Sequence, residues 1–422
     1  MSATHHPVGL AFATALPKIE LHAHLTGSIS RQCLHEIWQT KKAQDPNLAL
    51  QDPLIAIPTG KTGESCQGRT QDHRGNHAAP FVDPSKIVSY GKLARAWMAA
   101  VGHGPMLVAN PGLSRLGHLI HDLLLITTRL KRTTKASFFP LFSSYIYKLC
   151  NDLPSIEFST RAVLQDFQAD GVVYLELRTT PRAMPSAGLT KDTYVKTVSN
   201  ILTAHNRATE NSIRAFLILS IDRRNSASEA EEVVDLAIQY QSSGVVGLDL
   251  CGDPAQGDIR IFGPAFARAK AAGLKLTLHF AEAEASASDL ELQTLLSWKP
   301  DRLGHVIHVK EEFRKVIEDE HIGVELCLSC NVHAKMITGT YSDHHFGMWR
   351  HTKVPVALST DDVGVFCSPL SKEYYLAAQH FGLSQNGLQA LAERAVDCIF
   401  SGPAEQARLK DVFAKWQASS HV

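Results

Sequence analysis

The chain has 422 residues, 44% of them hydrophobic and 20% charged, a globular balance that excludes a disordered or collagen-like polypeptide. Its 42 Lys and Arg match 42 Asp and Glu, so the formal net charge is +0, without the basic excess of a dedicated nucleic-acid binder. No apolar run reaches the roughly 18 residues of a membrane span, the opening Met-Ser-Ala-Thr-His-His-Pro is unlike a secretory signal, and the eight scattered cysteines fit free thiols in a reducing cytoplasm.

Short apolar runs rich in β-formers recur along the chain. They are Lys18 to Leu25, Val172 to Leu177, Ala215 to Ile221, Val245 to Leu250, Leu274 to His279, Arg302 to Val306, Gly323 to Leu328 and Val354 to Ser359. Helical patterns fill most of the gaps, among them Ser159 to Asp170, Thr190 to Asn206, Ala227 to Gln241, Pro264 to Ala272 and Leu370 to His380. Strand–helix alternation predicts a parallel sheet covered by helices. Eight such units predict one α/β domain over residues 10–422, a closed (β/α)8 TIM barrel. The alternative is a doubly wound sheet, but no Gly-x-Gly-x-x-Gly follows the first strand.

Almost 150 residues separate the first two strands. Within them, residues 52–135 are basic and hold nine of the 27 glycines, and Pro58 to Pro80 shows no periodicity. Leu113 to Leu130 has Leu113, Leu116, Ile120, Leu123 and Leu130 near one face of a potential helix. The stretch is expected to be a long irregular insertion: a lid, a flexible loop or an error in the gene product. The cluster Lys131, Arg132 and Lys135 reads as a solvated face rather than a phosphate site.

Polar residues gather at the predicted carboxyl ends of the strands, where barrel enzymes keep their active sites. The first strand carries Leu21-His22-Ala23-His24-Leu25, and residues two apart on a strand point the same way. His22 and His24 therefore converge, forming half of a possible zinc site or a chance alternation. The fifth strand ends Leu278-His279-Phe280-Ala281-Glu282. His279 has access to the same centre, and Glu282 is either a proton carrier beside an activated water or a surface residue favoured by a helix dipole. The sixth strand ends Gly304-His305 and the eighth Ser359-Thr360-Asp361-Asp362. Adjacent aspartates repel unless a cation or donors compensate, so Asp361 as metal ligand and Asp362 as substrate contact is one reading, a helix N-cap pair the other. The coincidence of all these groups at strand ends points to a metal-dependent hydrolase.

These motifs, in this order and context, resemble the adenosine/AMP deaminase family. Tyr174-Leu-Glu-Leu-Arg-Thr-Thr-Pro-Arg182, Asp222-Arg-Arg224, Gly247-Leu-Asp-Leu-Cys-Gly-Asp-Pro254 and His344-His-Phe-Gly-Met-Trp349 are similar to its adenosine deaminase-like branch, the N6-methyl-AMP deaminases. The resemblance implies one Zn2+ per chain on His22, His24, His279 and Asp361. It implies Glu282 as the group that protonates purine N1 and His305 as the residue that orients the attacking water. It also implies Asp362 as the acceptor facing N7, and Gly252 as a backbone approach to the purine that needs no side chain. The other zinc deaminase chemistry uses His-x-Glu with Pro-Cys-x-x-Cys. No proline precedes Cys327 here, so Cys327 and Cys330 are expected to be small buried thiols.

Substrate choice turns on Thr26. Adenosine deaminases carry Asp at the matching position, and a carboxylate near 4 Å from a 5′-phosphate costs on the order of 4 kcal/mol at an effective dielectric near 20. The branch usually has Asn there, and Thr keeps the neutrality. Arg182, with Thr179, Thr180 and Pro181, follows the second strand and offers a planar fork for phosphate, unless it pairs with a surface acid. Asp222 resembles a further contact, and His24 also faces the substrate. The helix Phe138 to Leu149 departs from the branch in carrying Tyr147 where a substrate-facing His is usual. The expected activity is hydrolysis of N6-methyl-AMP, a small purine nucleotide, to IMP and methylamine by a cytoplasmic monomer, with no nucleic-acid polymer or membrane as partner. The alternatives are an adenosine deaminase acting on the free nucleoside and an inactive purine-binding protein. A two-metal phosphotriesterase-like hydrolase is disfavoured because no Lys stands at a matching strand end.

Overall fold

Each of the eight β-rich runs is a strand in the computed structural model, which describes residues 8–57 and 139–419. The strands are β1 (Lys18–His24), β2 (Val172–Thr179), β3 (Arg214–Asp222), β4 (Val245–Cys251), β5 (Lys275–Phe280), β6 (Arg302–His305), β7 (Gly323–Leu326) and β8 (Val356–Leu358). All seven neighbouring pairs are parallel, and the strands lie side by side in chain order. The two ends of the sheet meet. Asp361 N–H donates to the His22 carbonyl (2.8 Å), and His24 N–H donates to the Asp361 carbonyl (2.9 Å). The result is a nearly closed barrel rather than a doubly wound sheet.

Helices Lys191–Arg207, Ala227–Gln239, Gly263–Ala271 and Leu370–Phe381 follow the sequence patterns closely. Helix Leu153–Ala169 starts six residues before the expected Ser159. Its start signals are the Asp152 side chain, which accepts from Ser155 N–H at 3.0 Å, and a proline in the first turn. The gap between β1 and β2 is helical at its described edges, over Arg31–Gln44, Pro53–Ala56 and Phe139–Leu149, the last with a π-type turn at Phe142–Ile146. The first residues of the expected irregular insertion are thus a short helix capped by Asp52, whose carboxylate accepts from Leu54 N–H. The expected helix Leu113 to Leu130, the cluster Lys131, Arg132 and Lys135, and the insertion from 58 to 135 lie outside the described residues. Among the described residues no helix is long and apolar enough to cross a membrane.

Along β2 the alternation in Tyr174-Leu-Glu-Leu-Arg turns Leu175 and Leu177 towards the helices and Glu176 and Arg178 into the barrel. Barrel interiors are ordinarily filled by branched apolar side chains. Here Glu176, Arg178, Asp249, Arg302 and Glu325 are all fully buried. Arg302 donates to Glu176 (2.6 Å) and Glu325 (2.6 Å), and Arg178 donates to Glu325 (2.8 Å) and Asp249 (3.3 Å). An unpaired ion at such depth costs several kcal/mol, so this layer persists only because its members satisfy one another. It lies directly beneath the histidines.

Candidate active site

Four side chains from three strand ends converge at the mouth of the barrel. His22 Nε2 lies 3.2 Å from His279 Nε2, and His24 Nε2 lies 3.3 Å from the same atom. Asp361 Oδ1 is 3.4 Å from His24 Nε2 and 3.8 Å from His22 Nε2. Ligands about 2.0–2.1 Å from a tetrahedral ion stand roughly 3.3–3.4 Å apart. The spacing therefore fits one shared ion, and three imidazoles with one carboxylate make a donor set suited to zinc. The group whose ligand atoms all lie within 4.8 Å of one another is His22, His279, His305 and Asp361, so His305 stands in ligand range alongside His24, with its Nε2 3.7 Å from Asp361 Oδ2 and 4.0 Å from Glu282 Oε1.

The buried charged layer orients the imidazoles. His22 Nδ1 lies 2.6 Å from Glu325 Oε2, and His279 Nδ1 lies 3.0 Å from Asp249 Oδ1. A carboxylate at Nδ1 takes that N–H and leaves the Nε2 lone pair pointing into the cluster, the usual support of a metal-binding histidine. Glu325 also accepts from Thr277 and both arginines, so four donors converge on its two oxygens. The same arginines hold its carboxyl at about 2, against the opposing effect of burial. On the other flank Cys330 Sγ–H donates to Asp361 Oδ2 at 2.8 Å, leaving Oδ1 to face the histidines. Cys327 and Cys330 are buried as expected, but Cys330 also has this contact.

Local backbone geometry serves the same convergence. A Cβ on Gly304 would sit 2.6 Å from His22 Cε1, so the glycine before His305 makes room for the first histidine. Ala281, His305 and Asp361 adopt φ of 50°, 64° and 63°, a left-handed conformation that costs non-glycine residues energy. All three follow or end a strand of the site, and the turn they impose re-aims the chain across the barrel mouth.

Glu282 and Asp362 are buried carboxyls with different surroundings. Burial, opposed by His279 and reinforced by Asp361, raises Glu282 to about 7. Glu282 is 5% exposed, which excludes the surface-residue alternative. Burial and then the charges of Asp361 and Glu282 push Asp362 well above the usual carboxylate range. Asp362 occupies the N-cap position of a four-residue helix but makes no side-chain cap bond there, and its Oδ1 is buried without a partner. It is therefore not a structural cap.

A cavity of about 790 Å³ opens onto these groups. His24, Thr26, Thr179, Thr180, Arg182, Asp222, Gly252, Glu282, Asp361 and Asp362 all line it; Pro181 is buried beside them and does not. Thr179 Oγ1 is engaged with Tyr194 OH at 2.6 Å. Gly252 has φ of 101°, and a Cβ there would lie 2.7 Å from Asp222 Oδ1. Asp222 itself is held by Arg224 through two hydrogen bonds of 2.8 and 2.6 Å. The Arg182 guanidinium lies 4.1 Å over the Tyr147 ring and pairs with no carboxylate among the described residues; its Nε is buried without a partner. Tyr147 lines the cavity too, as does Thr26, so the helix that departs from the branch still builds the wall. Sequence reasoning missed Glu325, Asp249 and Cys330. For Glu325 and Asp249 the available signal was a charged residue at a strand position whose neighbours are apolar; Cys330, in the short helix Leu328–His333, carried none.

A family model described as adenosine deaminase matches residues 124–416. The chain is 37% identical over 413 residues to the N6-Methyl-AMP deaminase-L of Xenopus laevis, covering 96% of this chain and 95% of that one. It is 34% identical over 419 residues to the N6-Methyl-AMP deaminase of Homo sapiens, covering 97% and 95%. Among solved structures, an Arabidopsis N6-mAMP deaminase superposes with a TM-score of 0.71 at 30% identity, over 96% of this chain and 99% of that one. Arabidopsis ADAL complexed with IMP superposes with a TM-score of 0.72 at 30% identity, over 97% and 99%.

Proposed function

The chain belongs to the adenosine deaminase family, and we propose that it hydrolyses N6-methyl-AMP to IMP and methylamine, with one zinc ion held by His22, His24, His279 and Asp361. The observation that carries this reading is the convergence of those four side chains, with four of their atom pairs 3.2–3.8 Å apart, beside a buried carboxyl, Glu282, that burial raises to about 7. When bound, the ion supplies Lewis-acid activation of water. The rest is the work of side chains. His305 Nε2, which has no partner of its own, orients the attacking water. Glu282 delivers its proton to purine N1 as water adds at C6, so the ring does not accumulate full negative charge. The proton lost by the added water returns to Glu282, the remaining O–H proton passes to N6, and the C6–N6 bond breaks to leave the 6-oxo purine and methylamine.

Asp362 faces N7, but as a donor rather than the acceptor suggested by resemblance. N7 is itself an acceptor, so Asp362 meets it as a donor in its protonated form, which burial and then the neighbouring Asp361 charge favour. The 5′-phosphate lies towards Thr26, Tyr147 and Arg182, where a guanidinium without a carboxylate partner faces the cavity. A free-nucleoside substrate would leave that charge unused.

The test is a substrate panel of N6-methyl-AMP, AMP and adenosine with wild type and Glu282→Gln. N6-methyl-AMP should be preferred, and the variant should lose about 10²- to 10⁴-fold in kcat while keeping its zinc. Adenosine turned over faster than the nucleotide, or full turnover by the variant, would overturn the reading.

A further inference from the structure

The two nitrogens of a neutral imidazole play different roles according to which carries the proton, and His305 presents its Nε2 to the site and its Nδ1 to Asn331. The surrounding hydrogen bonds leave one answer. Phe346 N–H donates to His344 Nδ1 at 3.0 Å. A backbone amide can only donate, so His344 Nδ1 is bare and its proton is on Nε2. That Nε2 lies 3.0 Å from Asn331 Oδ1, which must accept from it. The amide of Asn331 is thereby fixed in orientation, and turning it over would set N–H against N–H. Asn331 Nδ2 then faces His305 Nδ1 at 3.0 Å and Met336 Sδ at 3.6 Å, giving each of its two hydrogens an acceptor. Since Asn331 donates to Nδ1, that nitrogen of His305 is bare. The proton is on Nε2, which points at Asp361 and Glu282.

We propose that Asn331 and His344 are positioning residues that lock His305 as the Nε2–H tautomer, so that it acts in the site as a hydrogen-bond donor. The chain of donors is buried throughout: His305 and Asn331 are fully enclosed and His344 is 2% exposed. It originates in a backbone amide, a group that does not titrate, so no protonation event along it reverses its direction. The neighbouring His345 grips the same residue from another side, its Nε2 donating to the His305 carbonyl at 2.6 Å. The His344-His345 pair thus fixes both the ring and the backbone of His305, whose left-handed φ of 64° needs such support. An Nε2–H directed at the reacting oxygen makes His305 a donor to the attacking water and to the charge that develops on it, not a base that removes its proton.

This inference rests on the reading that His305 acts in deamination, and the experiment separates the two. Zinc-loaded protein carrying imidazole ¹⁵N label is examined by NMR, with His305 signals assigned from their loss in His305→Gln. The expected result is a bare Nδ1 and a protonated Nε2. Asn331→Asp is nearly isosteric but presents an acceptor, so Nδ1 should become protonated. Its kcat on N6-methyl-AMP should fall on the order of 10²- to 10⁴-fold, with KM and bound zinc unchanged within a few-fold. A protonated Nδ1 in the wild type, or an Asn331→Asp variant with unaltered tautomer, overturns the proposal. If His305→Gln retains full turnover, the role of His305 in catalysis fails, and the tautomer result alone judges Asn331 and His344. Should Asn331→Asp not fold, the decision passes to His344. His344→Gln, which still has a donor and an acceptor, should keep the bare Nδ1 and most of the turnover, and His344→Leu should lose both; equal behaviour of the two refutes the relay.

Discussion

Replacing Glu325 by Gln removes one oxygen acceptor from a point where four donors meet. Glu325 Oε2 faces His22 Nδ1 (2.6 Å) and Arg178 Nη2 (2.8 Å), while Oε1 faces Thr277 Oγ1 (2.8 Å) and Arg302 Nε (2.6 Å). An amide must turn its NH2 towards one of these pairs, and every atom it meets is a donor. Two outcomes follow. Breaking a buried ion pair on one side costs about 3–5 kcal/mol. Spread over 422 residues with roughly 2.1 cal/mol/K of unfolding entropy each, that lowers the melting temperature by about 3–6 °C. The second outcome concerns the metal: loss of the partner on His22 Nδ1 weakens binding by about 10- to 100-fold. Thermal unfolding of the zinc-depleted protein reads the first effect, and competition with a chromogenic chelator reads the second. Glu325→Gln with wild-type melting temperature and wild-type zinc affinity would refute the argument that the charged layer is what orients the histidines.

Thr26→Asp places a carboxylate on the phosphate side of the cavity; near 4 Å this costs on the order of 4 kcal/mol. kcat/KM for N6-methyl-AMP should therefore fall by up to about 10³-fold while any turnover of the nucleoside is spared, and an equal loss on both would show that no phosphate lies there. Gly304→Ala adds a Cβ that would stand 2.6 Å from His22 Cε1; elemental analysis should find the purified variant depleted of zinc, whereas full occupancy would count against this packing. Lys18 supplies a pH-dependent term in stability. Its ammonium is buried and donates to the carbonyls of Ala13, Thr14 and Leu16, and burial, partly offset by Asp170, lowers its pKa to about 8. The unfolded chain keeps that proton up to about 10.5. Between about pH 8 and 10.5 the unfolded state therefore binds more protons, and this residue's contribution to stability rises with pH, by at most about 3 kcal/mol. Denaturant titrations of wild type and Lys18→Met at pH 7.5 and 10 should differ in slope by that sign, and parallel pH profiles would sink it.

The barrel was legible because its signals are local. Runs of β-formers ending in histidine or aspartate identify both the strands and the face that carries the chemistry, and the alternation in His22-Ala23-His24 fixes a common direction without knowledge of the fold. Glu282 and Asp362 were legible in position but not in state: the burial that raises both comes from chain segments far away in sequence. Glu325, Asp249 and Asn331 escaped for a related reason. Each earns its role from a partner 26 to 303 residues distant, and only the closed barrel brings the pairs together. The early start of helix Leu153–Ala169 was missed for a local reason, since a proline in the first helical turn starts a helix as readily as it ends one.

The closing joint of the cylinder, where Asp361 exchanges two backbone hydrogen bonds with His22 and His24, would also give an ion held at this site a mechanical duty. Ligands on either side of that joint belong to the first strand and to the segment after the last, so a bound ion rivets the sheet shut where it has only a residual ladder. A nascent chain exposes His22 and His24 first, His279 much later, and the fourth ligand only when Asp361 emerges. Capture of the ion thus marks completion of the barrel, and in metal-stripped protein the amides of residues 22–24 and 361 should be the first in the sheet to exchange with solvent.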